Sequence, residues 1–200
     1  MKKSISLLIY FVCAVTFAQR MKIENGGFEF IKGEKNVNVE FVYDHMTLLK
    51  KNLSNEQYVT EHSAELEEKG KNAKIWQKKW IDAREYIWQP KFIELVNRDL
   101  KEDHGVNFEE GLSDSKYTLI VETVWLYPGW DAGVMKQPAK VTTKLIFVET
   151  SNRGNVLAEV TSADAPGDQW GNSFSNEDRL GEGYAKTGKS LSKLILKEAF

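Results

Sequence analysis

A chain of 200 residues with 27 basic and 29 acidic side chains carries a formal charge of −2, too balanced for the basic face that nucleic acid requires. Six Trp, seven Tyr and ten Phe are enough to fill one hydrophobic core. A single cysteine excludes a disulfide framework within the chain.

The N-terminus has three parts. Met1-Lys2-Lys3 is positive, Ile5 to Phe17 is an apolar run of about a dozen residues, and Ala18-Gln19 closes it with a small residue. The pattern predicts a secretory signal peptide over residues 1–19 and one α+β domain over residues 20–200. The expected location is therefore periplasmic or secreted. Removing Lys2 and Lys3 makes the exported chain two charges more acidic. Cys13 lies inside the apolar run, so cleavage leaves no thiol. Its lipidation, which would attach the protein to the outer membrane, is the lesser reading, because Val12 and Tyr10 stand where a lipoprotein signal needs a small and a leucine-like residue. No later apolar stretch reaches the ~18 residues of a spanning helix.

Residues 20–35 are expected to lead into the fold. Val37, Val39, Phe41 and Tyr43 alternate with polar residues and predict a half-buried strand. Ser54 with Gln57 is a capping-box start for a charged helix that ends at Gly70. Trp76, Trp80, Ala83 and Ile87 form one helical stripe, expected to cover the sheet. Pro90 breaks or kinks that helix, Phe92, Leu95, Val96 and Leu100 continue it, and Gly105 stops it.

Three strands follow. In the first, Tyr117, Leu119, Val121, Thr123, Trp125 and Tyr127 alternate with Ile120, Val124 and Leu126, and Pro128-Gly129 ends it. The second spans residues 140–150. Asn152-Arg153-Gly154-Asn155 signals a tight hairpin leading to the third, over residues 156–163. A final helix starts near Ser175 or Asn176. Gly181, Gly183 and Gly188 weaken it by ~1 kcal/mol each against Ala, a loss that close approach to the sheet would offset. The order β-α-β-β-β-α predicts a single mixed sheet of about four strands with helices on one face. The other face is left for solvent or a partner.

Gly183-Tyr-Ala-Lys-Thr-Gly188-Lys189-Ser190 matches the P-loop pattern. A P-loop needs a buried strand ending at its first glycine, and the residues before Gly183 are polar and helical. We expect no nucleotide and no other cofactor. His45, His62 and His104 lie in separate segments without metal-site spacing, so no metal centre is predicted. Asp164-x3-Asp168-x3-Asn172 offers oxygen atoms for Ca²⁺ but lacks the dense carboxylate loop that would hold it.

The topology gathers three loops, residues 44–52, 128–138 and 164–174, at one edge of the sheet. They carry His45, Trp130, Asp131, Asp168 and Trp170, the candidate ligand-binding set: flat apolar rings beside a few directional polar groups. The bland alternative is that Trp130 and Trp170 are buried loop anchors. No catalytic set is assigned.

Phe30-Ile-Lys-Gly-Glu-Lys35, Gln89-Pro-Lys-Phe-Ile-Glu-Leu95, Pro128-Gly-Trp-Asp-Ala-Gly-Val-Met135 and Tyr184-Ala-Lys-Thr-Gly-Lys189 resemble segments of an uncharacterised family of exported proteins in Gram-negative bacteria. The resemblance covers nearly the whole exported chain and implies no activity and no site. The element order is also similar to that of small periplasmic lipoproteins that assist outer-membrane assembly, although order alone does not fix function. The expected function is a non-enzymatic envelope protein acting as an interaction domain, with an envelope protein or glycan as partner. A glycan- or peptide-binding module around Trp130 and Trp170 is the second reading. A carboxylate-based hydrolase, using a pair such as Asp131 and Asp164, is the third.

Overall fold

The computed structural model describes residues 19–131, 136–167 and 175–200, without the side chains of Asp131 and Lys136. The elements run β1 (Arg20–Gly26), β2 (Asn36–Val42), β3 (Thr47–Leu48), β4 (Leu53–Ser54), α1 (Asn55–Glu68), α2 (Ala73–Ala83), α3 (Gln89–His104), β5 (Asn107–Glu110), β6 (Tyr117–Tyr127), β7 (Trp130–Asp131), β8 (Lys136–Gln137), β9 (Ala139–Glu149), β10 (Asn152–Gly167) and α4 (Asn176–Ala199). The class is α+β with one large mixed sheet, and that sheet has eight strands rather than about four. Its main path is β1-β10-β9-β6-β2-β5. The short strands β3 and β4 attach through β6, and β7 and β8 pair separately.

The additional strands have weak sequence signals. β1, expected only as a lead-in, alternates Met21 and Ile23 with charges and adds antiparallel to β10. β5 buries only Phe108 and adds parallel to β2. As expected, β2 is parallel to β6, with the helical crossover between them, and β6, β9 and β10 are antiparallel neighbours.

The helix starts and stops follow their local chemistry. Ser54 Oγ accepts from the Gln57 N–H at 3.2 Å while Gln57 Oε1 accepts from the Ser54 N–H at 2.9 Å, a complete capping box. Gly105, at φ +70°, closes α3. Ser175 Oγ accepts from the Asp178 N–H at 3.0 Å and starts α4. Pro90 neither breaks nor ends the helix. It has no N–H, and its ring crowds the carbonyl four residues back, so the helix widens into a π turn over Arg84–Trp88 and continues as α3.

The layer against the sheet is α3 and α4, with Phe92 of α3 meeting Phe41 of β2 edge-on. The Trp76/Trp80 stripe lies one tier further out, which corrects the expectation that it covers the sheet. Trp76 packs on Tyr58 and His62 of α1. Trp80 reaches Tyr58 and Trp88. Trp88 stacks on Tyr184 of α4 at 5.5 Å, and the Tyr184 hydroxyl meets Thr123 Oγ1 of β6 at 2.6 Å. A chain of rings therefore ties the outer helices to the centre of the sheet.

Residues 183–190 are helical throughout, inside α4, so no phosphate-cradling loop forms there. A Cβ at Gly183 would sit 2.5 Å from Val141 Cγ2 of β9, and one at Gly188 would sit 2.3 Å from the Phe92 carbonyl oxygen of α3. Gly183 therefore lets α4 lie against the sheet, the gain expected for these glycines, whereas Gly188 lets it lie against α3 instead.

Candidate ligand-binding edge

The side chains that matter at this edge are aimed by a single irregularity. Up to Thr123, the odd-numbered residues of β6 face the helices: Leu119, Val121 and Thr123 are fully buried. The register with β9 shifts between Thr123 and Trp125, leaving Val124 as the extra, exposed residue. Such a bulge turns the following side chains to the other face. Leu126 becomes the buried residue, opposite buried Val141, and Trp125 and Tyr127 emerge on the open face opposite Thr142 and Lys140. The sequence alternation, taken without a bulge, had placed Trp125 and Tyr127 on the same face as Leu119 and Val121.

The two rings stand nearly parallel, 6.1 Å apart with an interplanar angle of 9°. Each is tethered through its polar atom. Trp125 Nε1–H donates to the Leu49 carbonyl at 2.8 Å, and the Tyr127 hydroxyl donates to Gln137 Oε1 at 2.9 Å. Trp130 Nε1–H donates to the same Gln137 oxygen at 3.1 Å, so one amide on β8 aligns two aromatic residues. Trp130 is 42% exposed and has no ring partner among the described residues. It is therefore a partly solvated ring anchored at one edge, not a buried loop anchor.

The first of the three loops packs on the end of β6, the strand from which the second loop leaves. β3 runs parallel to the end of β6, with Thr47 opposite Trp125, and the Leu49 N–H donates to the Leu126 carbonyl at 3.0 Å. Leu49 and Asn52 have positive φ, as a tight return to the sheet requires. His45 is exposed in this loop, and no hydrogen bond, ion pair or ring contact joins it to Trp130 among the described residues. Asp168 and Trp170 lie outside the described residues, as do Asn172 and the side chain of Asp131.

Polar groups flank the rings on the same face. Lys140, opposite Tyr127, lies 3.6 Å from the Asp164 carboxylate, and Arg20 lies 3.6 Å from its other oxygen. Asp164 adopts φ +56° at the irregularity between Ser162 and Ala165, with its N–H bonded to Thr142 Oγ1 at 3.2 Å. A non-glycine residue held at such a φ stores strain that a site can use to aim a side chain. Among the described residues no cluster of His, Cys, Asp or Glu is suited to hold a metal ion.

Trp125, Tyr127, Gln137 and Lys140 are the members of this edge that sequence reasoning missed. The signal available was the pairing of Trp125 and Tyr127 two residues apart, but their face depends on the bulge.

No family model matches the chain, and no curated protein does. Among solved structures, the chain is similar to the PelC dodecamer from Paraburkholderia phytofirmans, with 13% identity, 92% of this chain and 99% of that chain covered, and a TM-score of 0.44. It is also similar to a leucine-to-methionine variant of that dodecamer, at 10% identity, with 92% and 100% covered and a TM-score of 0.42. Likeness at this level identifies neither a function nor an assembly for this chain.

Proposed function

We propose that this is an exported, non-enzymatic envelope protein that works as a binding module and holds a glycan at the aromatic edge. The observation that carries the reading is the exposed Trp130 ring, fixed through Gln137 beside the parallel Trp125–Tyr127 pair. Sugar rings present flat C–H faces to aromatic platforms and hydroxyls to nearby polar groups. Lys140, Asp164 and Thr142 supply such groups on the same face. Export rests on the three-part N-terminus. No helix among the described residues is long and apolar enough to cross a membrane. The hydrolase reading is weaker, because Asp164 already faces two cations.

The test is intrinsic tryptophan fluorescence of the exported chain titrated with neutral and anionic soluble oligosaccharides. A saturable response that Trp130→Ala and Gln137→Ala each weaken at least tenfold, with thermal melts unchanged, is the expected result. Binding that survives both substitutions overturns the assignment of the site. Product formation across the same panel overturns the non-enzymatic reading.

A further inference from the structure

The far side of the sheet ends unevenly. On one side, β2 pairs with β6 over residues 38–42. On the other, β5 covers only residues 36–39, because Gly111 at φ +79° turns the chain away just after Glu110. Residues 40–42 therefore have strand geometry and no strand on their outer side among the described residues. A strand edge of this kind is a template for another strand. It is also not flat and open to any comer. A groove of about 510 Å³ runs along it, lined by Val39 to Val42, Glu110, Gly111, Ser113 and Arg153.

One wall of that groove is built by the start of β10. The turn between β9 and β10 falls at Thr150 and Ser151, not at residues 152–155 as the sequence suggested. Asn152 already pairs with Glu149, and residues 153–155 form a wide irregularity before Val156. This excursion carries Arg153 across the open face to grip both oxygens of Glu40. Thr150 Oγ1 contacts Thr118 Oγ1 at 2.9 Å and fixes the base of the wall.

The charge of the groove is not balanced. Arg153 neutralises Glu40, whose carboxyl it holds below the usual value. Glu110, at the end of β5, has no ion-pair partner among the described residues. Glu110 is exposed overall; partial desolvation of its carboxyl first, and then the neighbouring Glu85 carboxylate, hold that carboxyl above its usual value. With Arg153 committed to Glu40, Glu110 is left without a counter-charge, among the described residues, beside a free strand edge.

We propose that the outer edge of β2 at residues 40–42 docks an extended segment of a partner protein, which continues the line of β5 and places a lysine or arginine against Glu110. Main-chain pairing supplies affinity in this mode, and the side-chain pocket supplies selectivity. Residues 40–42 are few, so the short ladder alone is weak and the cation becomes the selective element. The site shares no residue with the aromatic edge and stands independently of the glycan reading.

The probes are two fluorescein-labelled, capped peptides, Thr-Val-Lys-Val-Thr and Thr-Val-Glu-Val-Thr, titrated into the full exported chain by fluorescence anisotropy. The expected result is saturable binding of the lysine peptide, at least tenfold tighter than the glutamate peptide, with the difference abolished by Glu110→Gln. Hydrogen exchange of the backbone amides at residues 40–42 should slow when the lysine peptide is present, a readout that nonspecific charge attraction does not move. Equal binding of both peptides, or binding without amide protection, overturns the proposal. Concentration-dependent protection of the same amides without peptide also overturns it, because a second copy of the chain is then the occupant.

Discussion

At the scale of single residues, burial separates tryptophans that the sequence ranks together. Trp80 is fully buried, its ring packs on Tyr58 and Trp88, and its Nε1–H donates to Asn55 Oδ1 at 3.0 Å. Trp80→Ala should cost about 3–5 kcal/mol, the range for emptying a large aromatic site. Trp76 is only half-buried, on the outer surface of the α1–α2 pair, and Trp76→Ala should cost clearly less. Trp130→Ala should stay within ~0.5 kcal/mol, as for an exposed side chain. Thermal melts of the three variants test this order, and a Trp130 variant as unstable as the Trp80 variant would make Trp130 a core anchor. The helix glycines give a second test with opposing terms. Alanine at position 188 gains ~1 kcal/mol of helix propensity. The new methyl would lie 2.3 Å from the Phe92 carbonyl oxygen, and overpacking against backbone costs about 1–3 kcal/mol. Backbone cannot rotate aside, so Gly188→Ala should destabilise. At Gly183 the nearest obstacle is a methyl of buried, β-branched Val141, with the Ala165 carbonyl oxygen 3.2 Å away, so Gly183→Ala should destabilise as well. Urea midpoints that rise in both variants would mean that α4 shifts to make room.

At the scale of elements, signals within a few residues were legible and signals spanning the sheet were not. The capping box at Ser54 needs only the spacing to Gln57, and the structure forms both of its hydrogen bonds. Ser54→Ala should therefore cost about 1 kcal/mol, while Ser54→Asp should retain most of the stability because aspartate also caps. Equal losses in chemical denaturation would assign the effect to something other than the cap. The stop at Gly105 and the start at Ser175 were legible for the same reason. The two edge strands were not. β1 offers two apolar residues and β5 one buried phenylalanine, too few for a period-two pattern to register, and each forms because a longer strand already presents an unpaired edge. The bulge in β6 was invisible in the sequence because Val124, the extra residue, is itself a strong strand former. That one insertion decides whether Trp125 and Tyr127 enter the core or line the open face. Of the site proposed from sequence, the exposure of Trp130 is visible in the structure, and the tether through Gln137 had no sequence signal.

At the scale of the whole molecule, the rings that join the layers also set the alkaline limit of stability. Tyr43 lies against Trp88 with the Arg84 guanidinium 4.9 Å over its ring, Tyr58 lies between Trp76 and Trp80, and Tyr184 is sealed between Trp88 and the sheet. Burial raises the phenol pKa of all three well above the ordinary value of 10.0, because it penalises the phenolate. In the unfolded chain these groups release protons near pH 10, whereas the folded chain retains them. The unfolded state thus binds fewer protons above that pH, and stability falls as pH rises. The contribution is fully present below about pH 10 and lost on the way to the folded pKa values, with a slope of up to ~1.4 kcal/mol per pH unit for each tyrosine. Three such groups in one connected cluster should make alkaline unfolding a single steep transition beginning above pH 10. In an ultraviolet titration, exposed tyrosines should ionise first and reversibly, and the buried three should ionise only together with the loss of near-ultraviolet circular dichroism. Tyr184→Phe removes one of the three titrating groups and also leaves Thr123 Oγ1 without its 2.6 Å partner. That variant should be less stable at pH 7, yet its stability should fall less steeply above pH 10. An unchanged alkaline slope in Tyr184→Phe would locate the alkaline sensitivity outside the ring cluster.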